Sequence, residues 1–344
     1  MKIDGRLIGP GEPPYVIAEI SNNHLADPDR ACRLIEIAAQ SGADAVKIQT
    51  YDAESLTIDC DRPEFQIRTP PWDGLNYYQL YKKIALPRSF TQRLFKAAHD
   101  CGITIFSSPF DESAVALLEG LECPAYKIAS FEACDDPLLQ AVGRTGRPVL
   151  VSTGVAGIED IEETLRVLRA AGNTEVALLH CVSSYPAALG DMNLRAIDRL
   201  AALKCLVGLS DHSLGNLAST LAVARGATLI EKHFTISRSD GGPDASFSLE
   251  PSELADLVRS VREAWDALGD AGVLDQRRRP GSEHSRSLFV VRRVPAGARI
   301  GPDDIRAIRP GHGLPPRSLP KVIGSRARRE LSRGEPLRWE DFDL

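Results

Sequence analysis

His212 ends the run "LVGLSDH" (206–212) and His233 stands near the end of "LIEKHF" (229–234), so each places an imidazole in an otherwise apolar, β-rich segment. Two neutral imidazoles, with Glu231 and Glu19 nearby, can hold a divalent cation that keeps open positions for water and substrate. Lys47 in "DAVKIQT" and Lys127 in "AYKIAS" add two cations, while Ser108, Ser130, Ser152 and Ser210 add hydroxyls near the ends of their own runs. Lysine supplies point charge and serine supplies donors, so this group suits a phosphate. A phosphorylated substrate, a divalent metal and a carboxylate together fit carbon–carbon bond formation or cleavage. A Schiff-base aldolase working through Lys47 or Lys127 competes with that reading, because nearby cations lower a lysine's pKa and free its nucleophilic amine. A third reading is a carbohydrate- or phosphosugar-binding protein, but binding alone does not require Glu19 beside two histidines.

Eight β-rich runs must position these residues: 15–20, 44–50, 103–109, 125–130, 148–153, 176–182, 206–212 and 229–234. Amphipathic helical stretches such as "DPDRACRLIEIAAQSG" and "IEDIEETLRVLRAAGN" lie between most of them, and "EPSELADLVRSVREAWDALG" follows the last. Eight strand–helix units predict an α/β fold, a (β/α)8 TIM barrel; a doubly wound sheet would carry a glycine-rich first turn that is absent here. Side chains two apart share a strand face, which groups Glu19 with Ser21, Lys47 with Gln49, Ser210 with His212 and Glu231 with His233. Val46, Ile48, Ile230 and Phe234 fall on the opposite face. The polar set gathers in the C-terminal halves of the runs, where barrel active sites are built.

The insertion 52–83 after the second run is expected to form part of a substrate wall on that rim. The barrel is expected over 1–272, a linker over 273–284 containing most of the basic stretch "DQRRRPGSEHSRS", and a small β-rich module over 285–344. That module repeats a V/L-x-x-G-x-x-I/L pattern, in "VPAGARI" and "LSRGEPL". It is too small to be very stable alone. The chain of 344 residues carries a net charge of −6, which argues against a nucleic-acid or anionic-membrane partner. The N-terminus lacks the apolar core of a signal peptide and no segment is long enough to span a bilayer, so a cytoplasmic location is expected. Seven scattered cysteines, none in C-x-x-C spacing, predict neither disulfides nor a zinc site, and most read as small buried apolar residues.

The motifs "IAEISNNH", "GADAVKIQTY", "FSSPFD", "AYKIASFE", "VLVSTG", "GLSDHSLG", "GATLIEKHFT", "GGPDASFSLEP" and "IRPGHG" run in one order along nearly the whole chain. In that order they resemble the sialic acid synthase family, and the C-terminal module resembles its antifreeze-like (SAF) domain. The resemblance implies a transferase that condenses phosphoenolpyruvate with the open-chain aldehyde of an amino sugar, breaking the C–O bond of phosphoenolpyruvate and releasing phosphate. It implies that His212 and His233 bind a divalent ion, Mn2+ or Mg2+, with Glu19 as acid–base residue and Glu231 supporting metal-bound water. Lys47, Lys127, Ser108, Ser130, Ser152 and Ser210 match the phosphoenolpyruvate cradle; Gln49, Glu132 and Asp244 match positions near the sugar. Arg309, in "IRPGHG", matches an arginine that the family's small domain extends into the partner subunit's barrel, which implies a domain-swapped homodimer.

"GGPDASFSLEP" differs from the "GPDHxxSLEP" form of neuraminate and legionaminate synthases, and with "FSSPFD" and "PWDG" it is similar to the pseudaminic branch. The implied acceptor is 2,4-diacetamido-2,4,6-trideoxy-L-altrose, faced by aromatic residues of the 65–81 segment; the alternative is an amino sugar of the neuraminate or legionaminate type.

Overall fold

Alternation of β-rich runs with amphipathic helices closes into a ring. The computed structural model describes residues 1–68, 73–275 and 280–343. These divide into two compact units, Met1–Gly269 and Asp270–Leu344. The chain opens with a hairpin, β1 (Lys2–Ile3) and β2 (Arg6–Leu7), turned by Asp4 and Gly5, both in the left-handed region that a two-residue hairpin turn needs. Ile3 and the following Ile8 are buried, and Arg6 pairs with Asp44 at the N-terminal end of the barrel.

The barrel strands are β3 (Tyr15–Glu19), β4 (Ala45–Thr50), β5 (Thr104–Pro109), β6 (Tyr126–Ile128), β7 (Val149–Ser152), β8 (Val176–Cys181), β9 (Leu206–Asp211) and β10 (Leu229–His233). They run parallel and close in the order β10-β3-β4-β5-β6-β7-β8-β9. Each falls inside the run expected for it, so the (β/α)8 barrel read from the sequence is the observed fold. The outward-facing Val16, Val46, Ile48, Val149, Val151 and Ile230 are buried under the surrounding helices. Three of those helices start on side-chain caps: Asp27 accepts from Asp29 N before the helix Pro28–Gln40, Asp111 from Ala114 N before Glu112–Gly120, and Asp135 from Leu138 N before Asp136–Arg144.

The register sets the levels of the interior. His233 pairs with Glu19, Glu19 with Lys47, Gln49 with Ser108, and Glu231 with Ser210. The insertion after β4 contributes helices Ala53–Leu56 and Tyr77–Ile84; 69–72, which include the Pro-Trp of "PWDG", lie outside the described residues. Arg88 ties the insertion's start to the loop after β5, bonding to Ser55, Asp111 and Ser113 and pairing with Asp52.

In the second unit, single 3-10 turns at Ala271–Asp275 and Ser282–His284 flank the part of the expected linker (276–279) that lies outside the described residues. Strand β11 (Ser287–Val290) pairs antiparallel with β12 (Ile305–Ile308), and β13 (Arg326–Ala327) with β14 (Phe342–Asp343). The two copies of the repeated pattern face each other: Val294 and Leu331 exchange both backbone hydrogen bonds at 2.9 Å. Gly297 and Gly334 hold the matching left-handed turns, and Val294, Ile300, Leu331 and Leu337 all enter one core. Among the described residues no helix is long and apolar enough to cross a membrane.

Candidate active site

The C-terminal ends of the barrel strands converge on one cluster of buried charge. Glu19 is 1% exposed; its Oε2 lies 2.6 Å from Lys47 Nζ, and its Oε1 accepts from Ser21 N at 2.9 Å and Gln49 Nε2 at 3.2 Å. Lys47 also donates to Ser108 Oγ at 3.1 Å. Glu231 Oε1 is 3.7 Å from Lys47 Nζ and 4.0 Å from Lys127 Nζ, and it accepts from Ser210 Oγ at 3.2 Å. Four of these groups are thus two carboxylates and two ammoniums sharing one buried interior, where charges must be paired.

Their protonation is split by position. Burial, assisted by Glu231, pushes Glu19 up to about 7 against the pull of Lys47. Burial also opposes ionisation of Glu231, but Lys127 and Lys47 outweigh it and hold that carboxyl below the usual carboxylate range. The lysines part likewise: burial works against both, yet Glu19 and Glu231 keep Lys47 above its ordinary pKa while Lys127 falls below its own. Two carboxyls with divergent pKa values are the arrangement in which one group exchanges a proton while the other remains charged.

The two imidazoles lie beside this cluster, their ring centroids 5.3 Å apart. Burial pulls His212 below its ordinary pKa and His233 well below, so both are neutral near pH 7. His212 Nδ1 lies 2.9 Å from the Val182 carbonyl; as a neutral ring it donates there, which leaves Nε2 its lone pair. His233 Nδ1 is buried without a hydrogen-bond partner among the described residues. Tyr185 covers His212 at 4.3 Å between centroids, and Phe247 lies 5.0 Å from His233.

On the other side of the cavity, Ser130 Oγ and Ser183 Oγ are 2.9 Å apart, and Ser152 Oγ is buried with no partner among the described residues. Gly154 makes room for them: a Cβ there would lie 2.4 Å from Ser183 Oγ and 2.8 Å from Ser130 Oγ. The Ser130 and Ser183 hydroxyls thus stand close to the bare backbone of Gly154, and hydroxyl donors suit anionic oxygens.

A profile of the NeuB family matches residues 34–272. The chain belongs to the NeuB family. A profile of the SAF domain matches residues 285–343. The pseudaminic acid synthase of Campylobacter jejuni is 37% identical over 330 residues, covering 95% of this chain and 96% of that protein. The N,N'-diacetyllegionaminic acid synthase of Legionella pneumophila is 35% identical, covering 96% and 94%. Among solved structures, the N-acetylneuraminic acid synthetase of Leptospira borgpetersenii superposes with a TM-score of 0.73 at 32% identity, covering 82% of this chain and 93% of that one. The protein is therefore an enzyme of the sialic-acid-synthase type.

Within this NeuB barrel, Glu19, Lys47, Gln49, Ser108, Lys127, Ser210, Glu231, His212 and His233 form one cluster, with Ser130 and Ser152 along its margin. Glu132, in the 3-10 turn Ser130–Glu132, is linked to it through the fields of Lys127 and Lys47. Asp244 joins at the rim, accepting from Ser21 Oγ at 2.5 Å and Asn22 N at 3.3 Å. Arg309 belongs to the other unit, where it is exposed. Sequence reasoning passed over Tyr185, Phe247, Ser183 and Gly154, which lie beyond strand ends where no periodicity applies. It also passed over Asn22 and Tyr51, whose hydroxyl donates to Asn22 Oδ1 at 2.9 Å; Tyr51 in turn packs edge-on to Tyr81 of the insertion. The expectation that most cysteines are buried does not hold, since Cys101 and Cys134 are exposed and Cys32, Cys60 and Cys205 half-buried; Cys181 is buried but lies 3.8 Å from His212 Nδ1.

Proposed function

We propose that the protein is a pseudaminic acid synthase, condensing phosphoenolpyruvate with 2,4-diacetamido-2,4,6-trideoxy-L-altrose to give a nine-carbon 2-keto acid and phosphate. The observation that carries this reading is the convergence of Lys47, Lys127, Ser108 and Ser210 with the buried carboxyls of Glu19 and Glu231, beside the imidazoles of His212 and His233. The acceptor assignment is supported by the "GGPDASFSLEP" segment and by the pseudaminic acid synthase relative from Campylobacter jejuni.

In this reading Lys47 and Lys127 offset the charge of phosphoenolpyruvate, and Ser108, Ser130, Ser152 and Ser210 donate to its oxygens. C3 of phosphoenolpyruvate bonds to the aldehyde carbon, water adds to C2, and the C2–O bond to phosphate then breaks. Glu19, with its pKa near 7, moves the proton between water and the reacting oxygens. Gln49, Glu132 and Asp244 orient the sugar, with the aromatic side chains of the insertion as its wall.

The histidines fit a divalent ion, Mn2+ or Mg2+. Both rings are neutral, His212 has its tautomer fixed by a carbonyl, and His233 keeps an unpartnered buried nitrogen. No group of three His, Cys, Asp or Glu side chains converges as a complete metal cage among the described residues, so remaining positions would go to water and substrate. Such an ion, when bound, supplies Lewis acidity toward the aldehyde oxygen. Glu231, whose Oε2 has no partner among the described residues, would accept a hydrogen bond from the reacting water.

A homodimer with exchanged small domains completes the proposal, Arg309 reaching the sugar in the partner's barrel. The loops after the barrel strands support it by exposing Leu25, Phe131, Val155, Tyr185 and Leu214, an apolar rim that a second copy would cover. Lys127, the lysine of lowered pKa, is the residue on which a Schiff-base aldolase would depend, and borohydride trapping of a pyruvate adduct would favour that chemistry instead. The deciding assay measures phosphate release from phosphoenolpyruvate with the altrose derivative, its legionaminate counterpart and N-acetylmannosamine. The altrose derivative is expected to give the highest kcat/KM; preference for another sugar would reassign the acceptor, and no release with any would reject the reaction.

A further inference from the structure

We infer that Lys232 and Asp211 are positioning residues for His233 and His212, acting from the opposite face of the same two strands; this rests on the reading of the histidines as metal ligands. Each is the chain neighbour of one histidine, and strand alternation turns it away from the cavity. Lys232 Nζ lies 2.9 Å from Asp211 Oδ2, with side chains 1% and 0% exposed. Lys232 also donates to the Ser213 carbonyl at 2.5 Å. Asp211 Oδ1 accepts from Ser213 N at 2.8 Å and Ser213 Oγ at 2.7 Å, while its Oδ2 accepts from Ser219 Oγ at 2.6 Å. The residues on both sides of His212 are therefore held at once.

This clamp sits where backbone pairing runs out. The β9–β10 ladder ends at the Lys232–Asp211 pair, one step before the histidines. Beyond it the chains part: Phe234 N bonds to the Glu19 carbonyl of β3, and the His212 carbonyl accepts from Ala187 N. Lys232 ties β10 to the end of β9 at that level, through Asp211 and the Ser213 carbonyl. Stability alone gives little reason for this tie, because replacing a buried ion pair with apolar side chains of similar volume is often neutral or stabilising. Directional bonds to residues 211–213 fix the backbone that aims the His212 ring, which an apolar pair would not do. Partners outside a ligand set that orient the ligands typically contribute about 10–100-fold to metal affinity.

The test is Mn2+ binding, read from the electron paramagnetic resonance signal of free Mn2+, in the double variant Asp211→Asn/Lys232→Met. Both charges leave together, so neither is stranded in the interior, and circular dichroism reports the folded fraction. The expected result is a parent-like fold with the Mn2+ dissociation constant raised about tenfold or more. A merely structural role would change the folded fraction but not the affinity per folded molecule, and parent-like affinity would overturn the proposal. Should the double variant not fold, Ser219→Ala, which removes one bond to Asp211, is expected to weaken Mn2+ by roughly two- to tenfold; unchanged affinity there overturns it equally. His233→Ala is measured in parallel. Parent-like Mn2+ binding by that variant sinks the metal reading and the clamp with it, whereas lost binding there, combined with parent-like affinity in the double variant, sinks the clamp alone.

Discussion

Buried carboxylates at the two ends of the barrel meet opposite conditions. At the N-terminal end, Asp44 accepts from Val16 N and from Arg262, each at 2.8 Å, and pairs with Arg6 of the opening hairpin. Its charge is balanced within the chain. At the C-terminal end, Glu231 keeps Oε2 without a hydrogen-bond partner, as do Ser152 Oγ and His233 Nδ1 among the described residues. An unmet buried polar group costs about 1–3 kcal/mol, so folding alone does not favour three of them in one cavity. Although Lys47 and Lys127 also face Glu231, the unmet atoms fit the proposal that this end of the barrel is arranged for a ligand, whereas Asp44 serves the fold.

Four substitutions sharpen that contrast. Glu19→Gln keeps the shape of the side chain and removes its proton exchange; kcat is expected to fall about 10²–10⁴-fold, and a fall below tenfold would remove Glu19 from the proton path. Asp44→Ala at the other end is expected to cost about 2–3 kcal/mol of stability in urea unfolding while leaving KM for phosphoenolpyruvate unchanged; a raised KM without lost stability would contradict the division. Ser152→Ala should do the reverse, raising KM for phosphoenolpyruvate about tenfold while the thermal midpoint rises rather than falls, since a hydrogen bond to a charged group contributes about 1.5–3 kcal/mol and the unmet hydroxyl no longer has to be buried. Arg309→Ala is expected to raise the sugar KM about fivefold, roughly 1 kcal/mol, and that of phosphoenolpyruvate less. Equal effects on both substrates would count against Arg309 at the sugar.

The barrel was legible because its strands are short β-rich runs set between amphipathic helical stretches. The cluster was legible because a two-residue period separates Lys47 and Gln49 from Val46 and Ile48 without knowledge of the register. The same period explains the charged residues beside the histidines: Lys232 and Asp211 face outward and neutralise each other. The opening hairpin carried its own signal, an Asp-Gly turn between short β-prone pairs, but two-residue strands give no periodicity to detect. Ser183, Gly154, Tyr185 and Phe247 were not legible because loops bring them into place, and Gly154 matters for the space it leaves open to neighbouring hydroxyls. Cys181 reads as apolar in composition and proves polar in context, since its neighbours come from other strands and loops.

In the function proposed above, Ser152 Oγ, Glu231 Oε2 and His233 Nδ1, unsatisfied among the described residues, mark the substrate and metal positions. The most direct test is a crystal structure of the protein with phosphoenolpyruvate and Mn2+. The account predicts anomalous density for Mn2+ between His212 and His233, with the phosphoenolpyruvate oxygens on Lys47, Lys127 and Ser152. Mn2+ held elsewhere, or phosphoenolpyruvate bound away from those three side chains, would contradict it.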